Sequence, residues 1–217
     1  MKNNILRTTR LIDTALINND SELRVLIDTI GPLEVETRTD HFIALAKSIV
    51  GQQLSFKAAN TIWNRAIDIY EGELTPERTL EIDLDLLKSA GISSSKAQYL
   101  KNLSRAFIDG DIKPDNFMNM GNDEVIEMLT CVKGIGVWTA EMFLIFSLGR
   151  EDVFSINDVG LQRAIKWLYK LDGKISKDRL HEISSRWVPF RTYASLYLWE
   201  AINRNIIAGR IEELKNE

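Results

Sequence analysis

The sequence of 217 residues is poor in the side chains that build metal centres and disulfides. Its single cysteine, Cys131, excludes an intramolecular disulfide, a zinc site with several thiolates and a four-cysteine iron–sulfur cluster. The only histidines, His41 and His181, lie far apart and form no ligand or triad pattern. No run of about 18 uncharged apolar residues occurs, and the first residues, MKNNILRTTR, lack a signal-peptide core. We therefore expect a protein of a reducing intracellular compartment with no membrane partner.

The composition is that of a globular protein, with 45% hydrophobic and 27% charged residues. A net charge of −4 argues at first against a nucleic-acid partner. The charge is unevenly distributed, however: residues 71–85 carry six acidic side chains and one arginine, whereas 86–113 and 179–210 each have an excess of three positive charges. Because phosphate binding depends on the local field, this distribution is compatible with DNA, although such blocks are also typical of solvated helix faces.

Helical periodicity dominates the sequence. Apolar residues recur three and four positions apart over 42–50 and again over 59–70, as in two amphipathic helices. Between them, Gly51 is expected to end the first helix and Ser55 to cap the second. Residues 193–207 are apolar on nearly every face, which indicates a helix buried in a bundle. Since no segment alternates as a strand would, the sequence predicts an all-α protein of about nine or ten short helices.

A connection with two glycines is the most informative segment. Residues 129–140 read LTCVKGIGVWTA, with one helix expected before the glycines and another from Val137 onward. Because glycine tolerates positive φ and has no Cβ, Gly134 and Gly136 allow a tight turn that a phosphate can approach, with Ile135 packed inward. The N–H groups and dipole at the start of the second helix would attract that phosphate. A plain helix–turn–helix connection without a ligand fits the same residues.

Further blocks surround this hairpin. They are GIGVWTA (134–140) followed by DVFSIND (152–158), IVGQQLS (49–55), LKSAGI (87–92) with Lys96-Ala97, and WVPFRTYA (187–194) with Trp199. Together they resemble the helix-hairpin-helix (HhH-GPD) DNA glycosylase superfamily, and within it the 3-methyladenine DNA glycosylase II branch, the alkylbase glycosylases, over roughly residues 38–205.

The resemblance implies one glycosylase unit over residues 1–217 with two helical subdomains. One is a helical barrel over 37–150 that includes the hairpin. The other is a terminal helical bundle formed by 1–36 and 151–217. A DNA-binding cleft would lie between these two subdomains.

The resemblance also assigns DNA contacts to the hairpin. The amides of Gly134 and Gly136 would contact phosphate, with Ile135 and Thr139 beside them. Such backbone binding needs few positive side chains, which reconciles the acidic total with a DNA partner. Lys133 stands where relatives often have proline, and it is explained equally well as a phosphate contact or as a solvated lysine.

A second loop, 52–55, corresponds to the wedge that fills the gap left by an extruded nucleotide. Gln53 aligns with the inserted residue, and Gln52, Leu54 and Ser55 are its neighbours. Both glutamines could instead satisfy backbone groups at the helix junction. The sequence also leaves open whether Gln53 or Leu54 is the wedge.

A cation between the hairpin and a DNA phosphate is implied as well. The backbone carbonyls of Thr130, Val132 and Ile135 would hold a monovalent ion or Mg²⁺ in the manner of relatives. No cofactor is expected for the chemistry itself.

Asp158 matches the catalytic carboxylate of the family. Cleavage of an N-glycosidic bond builds positive charge on the sugar, which a fixed carboxylate stabilises more in the transition state than in the ground state. The carboxylate would also orient or deprotonate the attacking water. Asp158 equally suits the N-cap of the next helix, and the two roles can coexist.

Trp138 occupies the position at which bifunctional relatives carry a lysine that forms a Schiff base. An indole cannot do so, and Lys133 lies on the other side of the turn, so we expect a monofunctional enzyme. Trp138, Trp199 and Tyr193 are candidates for the base pocket, where ring faces would attract a cationic alkylated purine. Core packing is the alternative, and it suits Tyr193 better than Trp138.

The hypothesis is therefore hydrolytic excision of alkylated purines, chiefly 3-methyladenine and 7-methylguanine, from double-stranded DNA. The protein is expected to act as a monomer, in the cytoplasm or nucleoid of a bacterium or the nucleus of a eukaryote. Two alternatives stay open: a glycosylase for deaminated or mismatched bases, and a non-catalytic helix-hairpin-helix module that only binds DNA.

Overall fold

The computed structural model describes residues 5–208, apart from the Phe56 side chain. It confirms the all-α prediction, with more and shorter helices than the periodicity indicates. Within residues 5–208 the α-helices are α1 (Arg10–Asn19), α2 (Ser21–Ile30), α3 (His41–Gly51), α4 (Phe56–Ile69), α5 (Pro76–Glu81), α6 (Leu84–Ser89), α7 (Ser94–Ile108), α8 (Asn122–Thr130), α9 (Val137–Phe146), α10 (Val159–Leu168), α11 (Lys177–Ser185) and α12 (Arg191–Asn203). Two 3₁₀ helices, Pro114–Asn119 and Ile206–Ala208, complete the helical elements described.

A short two-stranded sheet was not expected. Strand β1 (Ile5–Arg7) pairs antiparallel with β2 (Glu34–Glu36), with Leu6 opposite Val35. Three residues per strand are too few for alternation to be recognised in the sequence, and only the middle residue of β1 is buried.

The chain divides into two compact units. The hairpin unit is Arg38–Leu148 and contains α3 to α9. The terminal unit comprises residues 5–37 and 149–208 of the described chain and contains the sheet, α1, α2 and α10 to α12. These bounds lie within two residues of the expected divisions at 36/37 and 150/151.

Most helices begin where a short polar side chain accepts a backbone N–H of the first turn, as the helix-start rules require. These N-cap residues are Thr9, Asp20, Asp40, Ser55, Thr75, Asp83, Ser93, Asp158 and Ser176. The expected ends of α3 at Gly51 and start of α4 after Ser55 are confirmed.

Helix α12 is the buried centre of the terminal unit. Residues 192–198 are all buried, and the helix packs against α2 and α10. A helix that is apolar on every side needs partners all round, which agrees with the sequence expectation. Within residues 5–208, none of the helices combines the length and apolar character needed to cross a bilayer.

Candidate functional site

The hairpin that joins α8 to α9 is closed by a turn in which Ile135 N–H donates to Val132 O at 3.0 Å. Both apolar side chains are buried and anchor the turn in the core. Gly134 has a φ of +114°, which side-chain-bearing residues rarely adopt. A Cβ on Gly134 would lie 2.8 Å from Tyr99 Cδ1 and closer still to Cγ. Glycine is thus required here by backbone conformation and by the close approach of Tyr99.

Gly136 meets a different requirement. Its φ is −98°, which any residue adopts, so of the two glycines only Gly134 uses the tolerance of glycine for positive φ. It is the exposed N-cap of α9, and a Cβ built on it would meet nothing within 4 Å. The first N–H groups of an α-helix have no partner within the helix and lie at its positive end. The absence of a side chain therefore leaves a phosphate room to approach them.

Side chains near the hairpin turn differ sharply in exposure. Lys133 is exposed, and Trp138, in the first turn of α9, is 43% exposed. Thr139 is buried against a cavity of about 40 Å³, and Ile135 is buried as well. Thr139 and Ile135 can therefore reach a ligand only through backbone atoms, whereas Trp138 and Lys133 present side chains to solvent.

The three carbonyls expected to hold a cation lie at the C-terminal end of α8 and in the hairpin turn. Helix α8 ends at Thr130, and the last carbonyls of a helix carry partial negative charge. Val132 O accepts the Ile135 N–H, and a carbonyl oxygen keeps a second lone pair. Oxygen donors suit hard cations, so these residues fit the implied ion by chemistry. Within residues 5–208, no cluster of three or more His, Cys, Asp or Glu side chains offers another metal site.

The wedge loop is a tight turn in which Leu54 N–H donates to Gly51 O at 3.2 Å. Gln52 has φ −51° and ψ 132°, and Gln53 has φ +56°, which are the angles of a type II turn. Gln52 Nε2 donates to Gly134 O at 2.9 Å. Gln52 thus satisfies a backbone group of the hairpin, while the exposed Gln53 occupies the strained left-handed position of the turn.

The remaining two residues of the wedge loop are Leu54, which is exposed, and Ser55, which caps the next helix. Leu54 is 37% exposed. Ser55 Oγ accepts the Ala58 N–H at 3.3 Å as the cap of α4. Gln53 and Leu54 are thus the two side chains of this loop that are exposed and have no capping role.

Asp158 is the N-cap of α10, as its sequence context allows. Its Oδ1 accepts the Leu161 N–H at 2.8 Å and the indole N–H of Trp199 at 3.5 Å. The residue is only 8% exposed. A Cβ on Gly160 would lie 3.0 Å from this Oδ1 and 3.3 Å from Ile202 Cδ1, so the missing side chain makes room for the carboxylate. The cap fixes the orientation of a carboxylate that adjoins a large aromatic ring.

The segment leading to Asp158 is anchored to the start of α12. Arg191 and Asp152 form a bidentate ion pair, with Nε–Oδ1 at 2.6 Å and Nη2–Oδ2 at 2.9 Å. Thr192 Oγ1 donates to Arg150 O at 2.6 Å and accepts the Val153 N–H at 3.1 Å. Because α12 also carries Trp199, these bonds hold the loop before Asp158 and the indole that contacts it in one frame.

Tyr193 is part of this anchor. It is buried, and its hydroxyl donates to Glu151 Oε1 at 2.6 Å. Burial and the Glu151 carboxylate raise the pKa of the Tyr193 phenol well above its usual value, so the hydroxyl stays protonated as a donor. The structure thus gives this ring a packing role in the terminal unit.

Replacing Tyr193 by phenylalanine tests that role. We expect a loss of about 1 kcal/mol of unfolding free energy, or about 2–4 °C in Tm, because one hydrogen bond is lost and the ring remains. Base-release rates, in the assay described below, should stay near those of the wild type. A large fall in rate at unchanged Tm would return Tyr193 to the base pocket.

Sequence reasoning missed the supports of both loops. Asn102 Nδ2 donates to Lys133 O at 3.2 Å, and the Arg191–Asp152 pair holds the segment before Asp158. These contacts join residues 31 and 39 positions apart, and neither has a local signal. Lys96 stands in one of the blocks that carry the family resemblance, but nothing near it in the sequence indicates that its Nζ donates to Gln52 O at 2.6 Å.

Comparisons with known proteins show which family this chain matches. The model of the HhH-GPD superfamily base excision DNA repair proteins matches residues 46–190. DNA-3-methyladenine glycosylase 1 of Schizosaccharomyces pombe is 35% identical over 190 residues, which cover 86% of this chain and 83% of that protein. The resemblance to the alkylbase branch is thereby confirmed.

Two solved structures are similar over most of the chain. The DNA-3-methyladenine glycosidase of Bacillus halodurans has a TM-score of 0.86 and 36% identity, covering 99% of this chain and 100% of that one. The 3-methyladenine DNA glycosylase Mag1 of Schizosaccharomyces pombe, in complex with abasic DNA, has a TM-score of 0.81 and 33% identity, covering 88% of this chain and 96% of that one. The chain therefore belongs to the HhH-GPD superfamily of base excision DNA repair proteins.

Proposed function

We propose that the protein is a DNA glycosylase that binds duplex DNA, extrudes an alkylated purine and hydrolyses its N-glycosidic bond to leave an abasic site. The observation that carries this proposal is the carboxylate of Asp158, fixed by Leu161 N–H and Trp199 Nε1 at the start of α10. Support comes from the similar proteins, which are DNA-3-methyladenine glycosylases by name. Extrusion is required because the bond is inaccessible within the stacked duplex.

Asp158 supplies the electrostatics of the reaction. As the purine departs, positive charge develops on the deoxyribose, and a fixed negative charge stabilises that state more than the substrate. Two N–H donors already hold the carboxylate in place, so little reorganisation is needed during the reaction. The same carboxylate accepts a proton from the attacking water.

Trp138 and Trp199 supply aromatic faces for the base. Methylation of a ring nitrogen makes a purine cationic, and indole faces attract cations with about 0.5–2 kcal/mol per contact. Trp138 is 43% exposed, and Trp199 is half-buried beside Asp158. This chemistry favours alkylated purines over deaminated or mismatched bases, which carry no such charge.

The hairpin binds the DNA backbone through the amides of Gly134 and Gly136, with Lys133 as an added charge. A cation held by the carbonyls at the end of α8 would neutralise part of the phosphate charge. Gln53 enters the stack in place of the extruded nucleotide, where its amide can also hydrogen-bond the orphaned partner base. Backbone contacts of this kind explain DNA binding by a chain of net charge −4.

The enzyme acts as a monomer on double-stranded DNA, wherever the genome is kept: the cytoplasm and nucleoid of a bacterium or the nucleus of a eukaryote. Each protomer carries its own hairpin, carboxylate and aromatic residues. The chemistry proposed needs no cofactor, since an enzyme carboxylate and water suffice for hydrolysis.

Strand integrity tests the monofunctional part of the proposal. Because the indole of Trp138 cannot form a Schiff base, we expect no direct nicking of the DNA and no adduct trapped by borohydride. The same DNA, heated in alkali after the reaction, should break at the abasic site, which serves as the positive control. Direct nicking together with borohydride trapping would contradict this prediction.

A panel of duplexes with one defined lesion each tests the substrate class. We expect free base from 3-methyladenine and 7-methylguanine duplexes, and little or none from uracil, hypoxanthine or mismatch duplexes. Release confined to the last three would favour the deamination alternative. Binding to all duplexes without release of any base would favour the non-catalytic module.

A further inference from the structure

Two loops of the hairpin unit, far apart in the chain, are joined by side-chain hydrogen bonds. The first is the tight turn over residues 51–54 at the start of the wedge loop, here called the wedge turn. The second is the turn over residues 132–135, the hairpin turn. Gln52 Nε2, in the wedge turn, donates to Gly134 O, in the hairpin turn, at 2.9 Å. The two residues are 82 positions apart, so this bond links segments that the chain itself leaves independent.

Helix α7 supports both turns from one face. Lys96, Tyr99 and Asn102 are spaced three residues apart and so lie along one side of the helix. Lys96 Nζ donates to Val50 O at 2.9 Å and to Gln52 O at 2.6 Å. Further along the same face, Asn102 Nδ2 donates to Lys133 O at 3.2 Å. One rigid helix thus contacts the wedge turn at one point and the hairpin turn at another.

Tyr99 lies between Lys96 and Asn102 on this face of α7. Its ring lies so close to Gly134 that no Cβ fits there. Gln98 Nε2 donates to Asn102 Oδ1 at 3.2 Å, which directs the Asn102 amide toward Lys133. The hairpin turn is therefore held on α7 by packing and by a directed hydrogen bond.

The wedge turn needs this support. A left-handed φ of +56° at Gln53 costs free energy and persists only where the surroundings fix it. The carbonyls at the end of α3 also have no partner within their helix, and the Lys96 ammonium satisfies two acceptors there. Lys96 is half-buried, so its contacts are shielded from competing water.

We propose that Lys96, Tyr99, Asn102 and Gln52 form a brace that locks the wedge turn to the hairpin turn, so that phosphate binding and insertion of Gln53 occur as one event. These are positioning residues: they act through Gln53 and the hairpin amides rather than by touching the reacting bond. The inference rests on the proposed function for its DNA assays.

Lys101 offers a matched control on the same helix. Its Nζ donates to Leu80 O at 2.9 Å and to Ile82 O at 2.7 Å, at the end of α5. Lys101→Met, like Lys96→Met, therefore removes an ammonium that donates to two backbone carbonyls, but it does so away from the wedge turn and the hairpin turn. An effect that both variants share indicates a general loss of stability. An effect of Lys96→Met alone indicates loss of the brace.

The test measures wedge insertion with a duplex that contains an abasic analogue beside 2-aminopurine, whose fluorescence rises when the stack opens. Lys96→Met should lower this fluorescence change about tenfold. It should also lower the rate of base release, measured separately on a 7-methylguanine duplex, about tenfold. Lys96→Arg should restore part of both quantities, and Lys101→Met should change neither. In a Gln53→Ala background, Lys96→Met should cause no further loss of the fluorescence change, because the side chain that is inserted into the stack is gone. The proposal would be overturned if Lys96→Met lowered the fluorescence change equally in the wild-type and Gln53→Ala backgrounds. It would also be overturned if Lys101→Met lowered it as much as Lys96→Met does.

Amide hydrogen exchange in the DNA-free protein provides an arm that does not depend on function. Lys96→Met should speed exchange of the Leu54 N–H, which closes the wedge turn, whereas Lys101→Met should not. Unchanged exchange at Leu54 would overturn the brace even if the enzyme is active. A wild-type protein that binds the abasic duplex but releases no base would instead contradict the proposed function, while exchange and fluorescence still decide the brace.

Discussion

Replacing Asp158 by asparagine is expected to lower the rate of base release about 10²–10³-fold, while DNA affinity and Tm stay near those of the wild type. The amide removes the negative charge that stabilises the developing positive charge on the sugar. Asparagine is also a good N-cap, and its Oδ1 can still accept the Leu161 N–H. The measurement is single-turnover release from a duplex containing 7-methylguanine, with enzyme in excess.

A second capping aspartate provides the control for this prediction. Asp83 caps α6 by accepting the Asp85 N–H at 2.8 Å, and it lies in the hairpin unit, whereas Asp158 lies in the terminal unit. Asp83→Asn should therefore leave the release rate unchanged. If Asp158→Asn retained most of the wild-type rate, Asp158 would be only the cap of α10.

The two hairpin glycines should respond differently to substitution. Gly134→Ala is expected to lower both Tm and DNA affinity, because the Cβ would collide with Tyr99 and the φ of +114° is unfavourable for alanine. Gly136→Leu is expected to leave Tm near that of the wild type, since its φ is ordinary and its surroundings are open. Its DNA affinity should nevertheless fall about 10- to 100-fold, through loss of charge-assisted N–H contacts to phosphate.

Thermal melting and binding titrations with an abasic-analogue duplex, at one fixed salt concentration, separate the two effects. Gly121, an exposed N-cap that starts α8, provides a control: Gly121→Leu should leave the DNA affinity unchanged. Wild-type affinity in Gly136→Leu would show that no phosphate approaches this amide. A wild-type Tm in Gly134→Ala would contradict the packing of Tyr99 beneath the turn.

Local rules predicted the parts of the fold that depend on neighbouring residues. The start of α4 after Ser55 and the burial of α12 follow from capping and from apolar periodicity, and both are confirmed. The helices α5 and α6 have six residues each, too short for a periodic pattern. This is why the sequence predicted fewer helices than the structure contains.

The site residues also fall into those that the sequence could predict and those that needed the structure. Asp158 could be singled out because the block around it is distinctive and its capping role is local. The two adjacent glutamines could not be distinguished, because the direction of Gln52 is set by a carbonyl 82 residues away and that of Gln53 by its left-handed φ. Gly136 likewise needed the structure, since the motif alone does not say which glycine adopts positive φ.

The proposed reaction of this chain is hydrolysis of the glycosidic bond of an alkylated purine. Its most direct test is a time course of free base released from a duplex with a single 7-methylguanine, with the protein in molar excess. We expect first-order release of one 7-methylguanine per duplex, well above the spontaneous rate, with the strand intact until heated in alkali. Release no faster than in the protein-free sample, from a duplex that the protein demonstrably binds, would contradict the account.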